Sequence, residues 1–401
     1  MNNPAYAEAA SLNNLAPAQA GAQAAAATRP DALFVLGTLA IGGSESKIVR
    51  LVNRLTDEGV RVMLACLNGP FTMEPNVRRD VPLRKLDRRG KFSPAAVWRL
   101  RRLLVAERPA TVLAVNLYQA LYVALATLLL PYRPCTVALV NTSTFRGHRA
   151  WCYIYHWVLQ RFDVTVHGSQ AQRQFWFREN CRAWRNSTVI YNGVDSDHFE
   201  HTASFEAGKR LRASLGVKPE GLLLGTVGMC RPEKNQQVLL TTLRQLRVSG
   251  VDAHVVIAGD GPMRAPLERR AAELAITDRV HFLGAVDDVR PVLSAIDLFV
   301  LPSTAVESFS NAALEAMAMG RPVILSDIGG AREMVNEGVE GYVVSPTELA
   351  ARLPAIIAAL YADRRKRQQM GVAARSRAVN CFSQPAMVAS YRGLLHGGGS
   401  Q

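Results

Sequence analysis

Leu298-Phe-Val-Leu-Pro302-Ser303-Thr-Ala-Val-Glu307-Ser-Phe-Ser-Asn311-Ala-Ala-Leu-Glu315-Ala-Met-Ala-Met-Gly320-Arg-Pro322 reads as a strand, a loop and a helix in immediate succession. The apolar run Leu298–Leu301 stops at Pro302, which cannot donate to a sheet ladder. Glu307 falls in the loop, and a helix is expected from about Ser310. Glu315 then lies a little over one turn into that helix, whose side chains lean toward its N-terminus. Its carboxylate can reach back to the mouth of the loop, where the backbone N–H groups of Phe309, Ser310 and Asn311 are also aimed. Free N–H groups at a helix start suit phosphate oxygens, and a carboxylate that accepts two hydroxyls at once suits a sugar or ribose. As a bare spacing, two glutamates eight apart fit an ordinary surface equally well.

The same strand–loop–helix unit recurs on both sides. Upstream, strands are expected at Ala32–Leu36, Arg61–Leu67, Thr111–Val115, Thr136–Val140, Val164–Val166 and Thr188–Tyr191, with helices such as Glu45–Asp57, Pro94–Val105 and Ala150–Gln160 between them. A polar segment near Asp195–Ala207 interrupts the series. It restarts with strands at Leu222–Val227, His254–Ala258, Val280–Phe282, Leu298–Leu301, Val323–Leu325 and Gly341–Val344. Such alternation predicts an α/β protein of two doubly wound, Rossmann-like domains with ligand sites beyond the C-terminal strand ends. The expected division is a disordered tail over 1–30, a first domain over 31–200, a second over 201–380, and a last helix with a flexible end over 381–401. The uncharged stretch Thr111 to Leu130 is long enough for a membrane span. Asn116 and Gln119 break it, however, and it divides into a strand and a helix.

Two further loops carry candidate chemistry. After the first strand come Gly42 and Gly43, ahead of a helix opening at about Ser44. They would let backbone approach a phosphate, or simply serve a turn that needs positive φ. After Leu222-Leu-Leu-Gly225-Thr-Val-Gly228 come Arg231 and Lys234, two cations near a helix start. Cations there oppose the helix dipole unless an anion offsets them, so a diphosphate is the natural partner.

The chain has 401 residues and a formal net charge of +14. Nucleic acid, an anionic membrane or a phosphate-bearing substrate would each suit that charge. Its six cysteines form no C-x-x-C pair, which predicts reduced thiols rather than a disulfide frame or zinc site. The N-terminal residues lack the charged and apolar regions of a secretory signal, so a cytoplasmic protein is expected. Between Arg78 and Arg102, ten basic residues stand against only Asp80 and Asp87. With Trp98 and Leu100 on the helix there, the segment is either a surface for anionic lipid or a solvated charged face.

The joint pattern resembles the retaining glycosyltransferases of family 4 (group 1). Glu307-x₇-Glu315 within its Pro302-Ser303 and Gly320-x-Pro322 frame is joined by Gly42-Gly43-Ser-Glu45, Asn192-Gly193-Val-Asp195, Gly228-Met-Cys-Arg231-Pro-Glu-Lys234 and Gly259-Asp-Gly261-Pro262. The resemblance spans about Ala32 to Phe382. It implies a GT-B architecture with a C-terminal helix crossing back to the first domain. It also implies retaining transfer from a nucleoside-diphosphate sugar, with no cofactor and no tightly held metal. Glu315 would hold the ribose and Glu307 the donor sugar, while Arg231 and Lys234 neutralise the diphosphate. Gly42, Gly43, Gly228 and Gly261 would border the donor with Phe309, Ser310 and Asn311. Where many members carry a histidine near the donor sugar, this chain has Asn141, which cannot titrate; His148 is a possible substitute. A glycan or lipid-linked acceptor in cell-surface polysaccharide synthesis is expected, at the inner face of the plasma membrane. A GT-B epimerase is the alternative. A nucleic-acid-binding protein is disfavoured, because no reader motif is present.

Overall fold

The computed structural model describes residues 29–141, 149–180 and 186–397. The expected N-terminal tail up to residue 28, His148 and the last four residues lie outside them. The chain forms two parallel sheets. The first contains β1 (Ala32–Leu36), β2 (Val62–Cys66), β3 (Leu83–Lys85), β4 (Thr111–Val115), β5 (Cys135–Val140), β6 (Val164–His167) and β7 (Ser187–Val189), in the spatial order β3-β2-β1-β4-β5-β6-β7. The second contains β8 (Leu222–Val227), β9 (Ala253–Ala258), β10 (Val280–Gly284), β11 (Leu298–Leu301), β12 (Val323–Ser326) and β13 (Gly341–Val344), ordered β10-β9-β8-β11-β12-β13. Strand order reverses beside β1 in one sheet and beside β8 in the other. Each reversal opens a crevice at the C-terminal strand ends.

Central strands are buried on both faces, which explains their unbroken apolar runs: every residue of β1, β4 and β9 is buried. Ala32 pairs with Val62 on one side and Thr111 on the other. Helices are set by their ends. Ser93 caps the helix Pro94–Glu107 by accepting from Ala96 N at 3.3 Å, and Asp363 caps Arg364–Cys381 by accepting from Lys366 N at 2.8 Å. The uncharged stretch from Thr111 folds as β4 and the helix Leu117–Ala126. Among the described residues no helix is long and apolar enough to cross a membrane.

Three local expectations change. The strand β3 lies inside the basic stretch, where only Leu83 is apolar. The polar segment near Asp195–Ala207 runs into a helix, His201–Ser214, rather than remaining a linker. Leu100 is completely buried in the first domain's core, so it cannot face a lipid surface.

The helix Gln384–Gly397 crosses back to the first domain, where Met387, Val388 and Tyr391 join the cluster that contains Phe34 and Leu55. The crossing runs alongside the outward connection. Val194 N donates to Phe382 O, and Gln384 N donates to Val194 O, each at 2.9 Å.

Candidate active site

The helix Asn311–Ala318 starts at the C-terminal end of β11 and points at the first domain. Ser310 is its N-cap, with Oγ accepting from Ala313 N at 3.3 Å. Among the described residues the backbone N–H groups of Phe309, Ser310 and Asn311 have no hydrogen-bond partner. Such a terminus is ready for an anion. The Phe309 ring is committed elsewhere, packed against Tyr191 and Phe382 in the core. Its carbonyl accepts from Asn192 Nδ2 at 2.6 Å.

Glu307 accepts from Lys234 Nζ and, at 3.0 Å, from Ser303 Oγ. The residue before it, Val306, sits at φ 69°. A β-branched residue in that region is strained, and such strain persists only where surrounding structure holds it. Gly329, at φ 56°, packs behind the loop, and a Cβ there would come within 2.2 Å of Glu307 O. The Glu307 backbone is therefore packed closely against Gly329.

Arg231 stands nearer the rim, its side chain half exposed and 4.0 Å from Glu233. The turn Pro232–Lys234 is 3₁₀, and the longer helix begins only at Gln237, so the two cations lie on a tight connector rather than on the first turn of an α-helix. Gly228 has φ 143°, which favours glycine, and space beside it. Gly261, at φ 152°, has both needs, since a Cβ there would also sit 2.5 Å from Cys230 O.

The first domain meets this arrangement through Gly42 and Gly43. Gly42 is extended at φ −170° and Gly43 opens the helix Gly43–Asp57. Neither needs a left-handed backbone, so the turn explanation for these glycines fails. Asn311 Nδ2 donates to Gly43 O at 3.0 Å across the cleft. One turn further, Arg50 pairs with Glu315 at 3.1 Å. Burial pushes the Glu315 carboxyl above its usual range, and Arg50 partly opposes this. Asn141, at the end of β5, accepts from Lys47 Nζ at 3.2 Å. A further interdomain contact lies to one side, where Glu333 of the second domain accepts from Gln170 N, Ala171 N and Tyr191 Oη, each at 2.8 Å.

The structure thus gathers Glu307, Lys234, Asn311, Glu315 and Gly43 about one interdomain cleft, with Arg231 at its edge, while Asn141 stands at the end of β5 against Lys47 of its own domain. Sequence reasoning missed Lys47 and Arg50. Lys47 was detectable, because it shares a helical stripe with Leu51 and Leu55, both fully buried. Among the described residues no three His, Cys, Asp or Glu side chains cluster as metal ligands.

Two facing Rossmann-like domains with a returning C-terminal helix define a GT-B protein. Residues 41–198 match the family model for Glycosyltransferase Family 4, and residues 209–377 match that for Glycosyl transferases group 1. The chain belongs to the group 1 glycosyltransferases and is a glycosyltransferase enzyme. It is 27% identical over 335 residues to a lipopolysaccharide core biosynthesis mannosyltransferase of Rhizobium meliloti, covering 82% of this chain and 86% of that one. It is 26% identical over 340 residues to a 2-deoxystreptamine glucosyltransferase of Streptomyces kanamyceticus, covering 76% and 86%. In fold it is similar to Alr3699/HepE of Anabaena, crystallised with UDP, with a TM-score of 0.80, 23% identity and coverage of 91% and 99%.

Proposed function

We propose that this enzyme moves a sugar from a nucleoside-diphosphate donor to a glycan or lipid-linked acceptor, with retention of anomeric configuration, in cell-surface polysaccharide synthesis. The observation that carries this reading is the Lys234–Glu307 pair on the loop that leads into the open helix start at Ser310, where Asn311 donates to Gly43 O of the first domain. In this reading the helix start, Lys234 and Arg231 bind the diphosphate, Glu307 grips donor hydroxyls, and Glu315 exchanges Arg50 for the ribose. The bond between anomeric carbon and diphosphate oxygen breaks, and its electron pair leaves with the diphosphate. The acceptor oxygen bonds to the same face of that carbon as its proton passes to a phosphate oxygen. Charge grows on the leaving group, so fixed cations stabilise the transition state more than the ground state. The same cations support a reaction that needs no protein-held metal. The Rhizobium relative's role in lipopolysaccharide synthesis and the UDP held by the Anabaena protein support the substrate classes.

A peripheral site on an anionic membrane belongs to the same proposal, with a surface revised from the sequence reading. Of the basic stretch, Arg78, Arg84 and Lys85 pair with Asp57, Glu107 and Glu74 from outside it. The helices Pro94–Glu107, Leu117–Ala126 and Arg149–Leu159 pack side by side. They leave Trp98, Leu129, Tyr153 and Trp157 exposed, Leu129 by 93%. Arg102 and Arg161 lie over Trp98 and Trp157. Exposed aromatics beside cations suit a headgroup layer.

The test is a donor screen by thermal shift against UDP- and GDP-sugars, followed by transfer assays in EDTA with the product anomer assigned by NMR. Retained configuration in EDTA supports the proposal. An inverted linkage, loss of activity on chelation, or donor interconversion without acceptor overturns it.

A further inference from the structure

Lys47 is a lysine at a core position. Its side chain is 6% exposed, on the stripe that also buries Leu51 and Leu55. From the helix after β1 it reaches past the end of β4 to Asn141 at the end of β5, beside the crevice where strand order reverses. An ammonium offers three N–H donors, and Asn141 Oδ1 takes only one. Among the described residues no carboxylate pairs with it. Asn141 Nδ2 is also buried and without a partner among the described residues. Two donor groups therefore stand side by side at the C-terminal strand ends, and among the described residues no carboxylate is paired with either. Buried lysines are normally paired, and a lysine serving packing alone would be better replaced by leucine or methionine.

We infer that Lys47 and Asn141 form an oxyanion subsite that receives an anionic oxygen of the nucleotide sugar, either on its diphosphate or on a carboxylate of the transferred sugar. The inference rests on the donor reading above and deepens it. Both sources offer the same chemistry, a charged acceptor for an ammonium and an amide N–H. Burial holds Lys47 down to about 8, so it is mainly protonated at neutral pH, and a bound anion would raise it again.

Calorimetric titration of the full chain and of Lys47→Met with uridine, UDP, UDP-glucose and UDP-glucuronate tests this, with the guanosine counterparts in parallel. If the diphosphate occupies the subsite, Lys47→Met weakens UDP by about 10-fold or more and leaves uridine within about twofold. If a sugar carboxylate occupies it, only UDP-glucuronate is weakened by that factor. In either case binding at pH 8 takes up protons in the wild type and not in the variant. The melting temperature of Lys47→Met should equal or exceed that of the wild type, and Lys47→Gln provides a second variant. Affinities within about twofold for every ligand, with no difference in proton uptake, overturn the subsite. Failure of the wild type to bind any nucleoside diphosphate instead overturns the donor reading, and this inference with it.

Discussion

Replacing Lys47 by methionine should remove a pH-dependent cost of folding. The lysine is displaced by burial from an ordinary value of 10.5 to about 8, so the fold disfavours its charged form. Between those values the unfolded chain binds more protons than the folded one, and stability rises with pH. The cost is fully present below about pH 8 and gone above about 10.5. At about 1.4 kcal/mol per pH unit, it amounts to about 3 kcal/mol at neutral pH and less than about 1 kcal/mol by pH 10. Burial also raises Tyr122 and Cys66 to about 12. Those groups titrate in the opposite sense and are common to both proteins, so they cancel in the difference. Urea unfolding of wild type and Lys47→Met, differenced at each pH from 7 to 10, is the assay. The variant's advantage should shrink by about 2 to 3 kcal/mol across that range. A flat difference curve would refute the claim that an uncompensated charge is buried there.

Arg231→Ala or Lys234→Ala should each lower kcat/KM by about 10²-fold or more, because each answers charge that grows in the transition state; unchanged kinetics would remove that residue from the site. Glu315→Ala should weaken nucleoside diphosphate binding. Glu307→Ala should abolish transfer while leaving that affinity nearly intact, and titration showing the reverse would exchange their roles. Val306→Gly should keep the melting temperature at or above the wild type by relieving strain of about 1–2 kcal/mol, while kcat falls as Glu307 gains freedom; an unaltered kcat would make the strain incidental. Trp98→Ser with Leu129→Ser should release the protein from anionic vesicles in a sedimentation assay, and undiminished binding would show that this face is merely solvated.

The strands were legible because parallel strands covered on both faces must be continuously apolar, as in β1, β4 and β9. The strand β3 was not, since only Leu83 of its three residues is apolar. The helix Arg364–Cys381 was equally obscure, because its buried residues, among them Met370, Gly371 and Ala374, are few and mostly small amid basic neighbours. In the site, Glu307 and Glu315 could be placed from their own loop and helix. Their partners could not: Arg50 meets Glu315 across the cleft, 265 positions away in the chain. Lys47 and Asn141 likewise come together only once β1, β4 and β5 lie side by side. Local spacing carries no information on such encounters.

The returning C-terminal helix gives the molecule an order of assembly. The second domain is, in topological terms, an insertion between β7 and Gln384–Gly397, and the two connecting segments run together at Val194 and Ser383. During synthesis the second sheet can be completed while the first still lacks Met387, Val388 and Tyr391 over its core. The domain begun earlier is therefore finished later, only after the last helix has left the ribosome. Until then the apolar cluster around Phe34 and Leu55 lacks the cover that Met387, Val388 and Tyr391 supply.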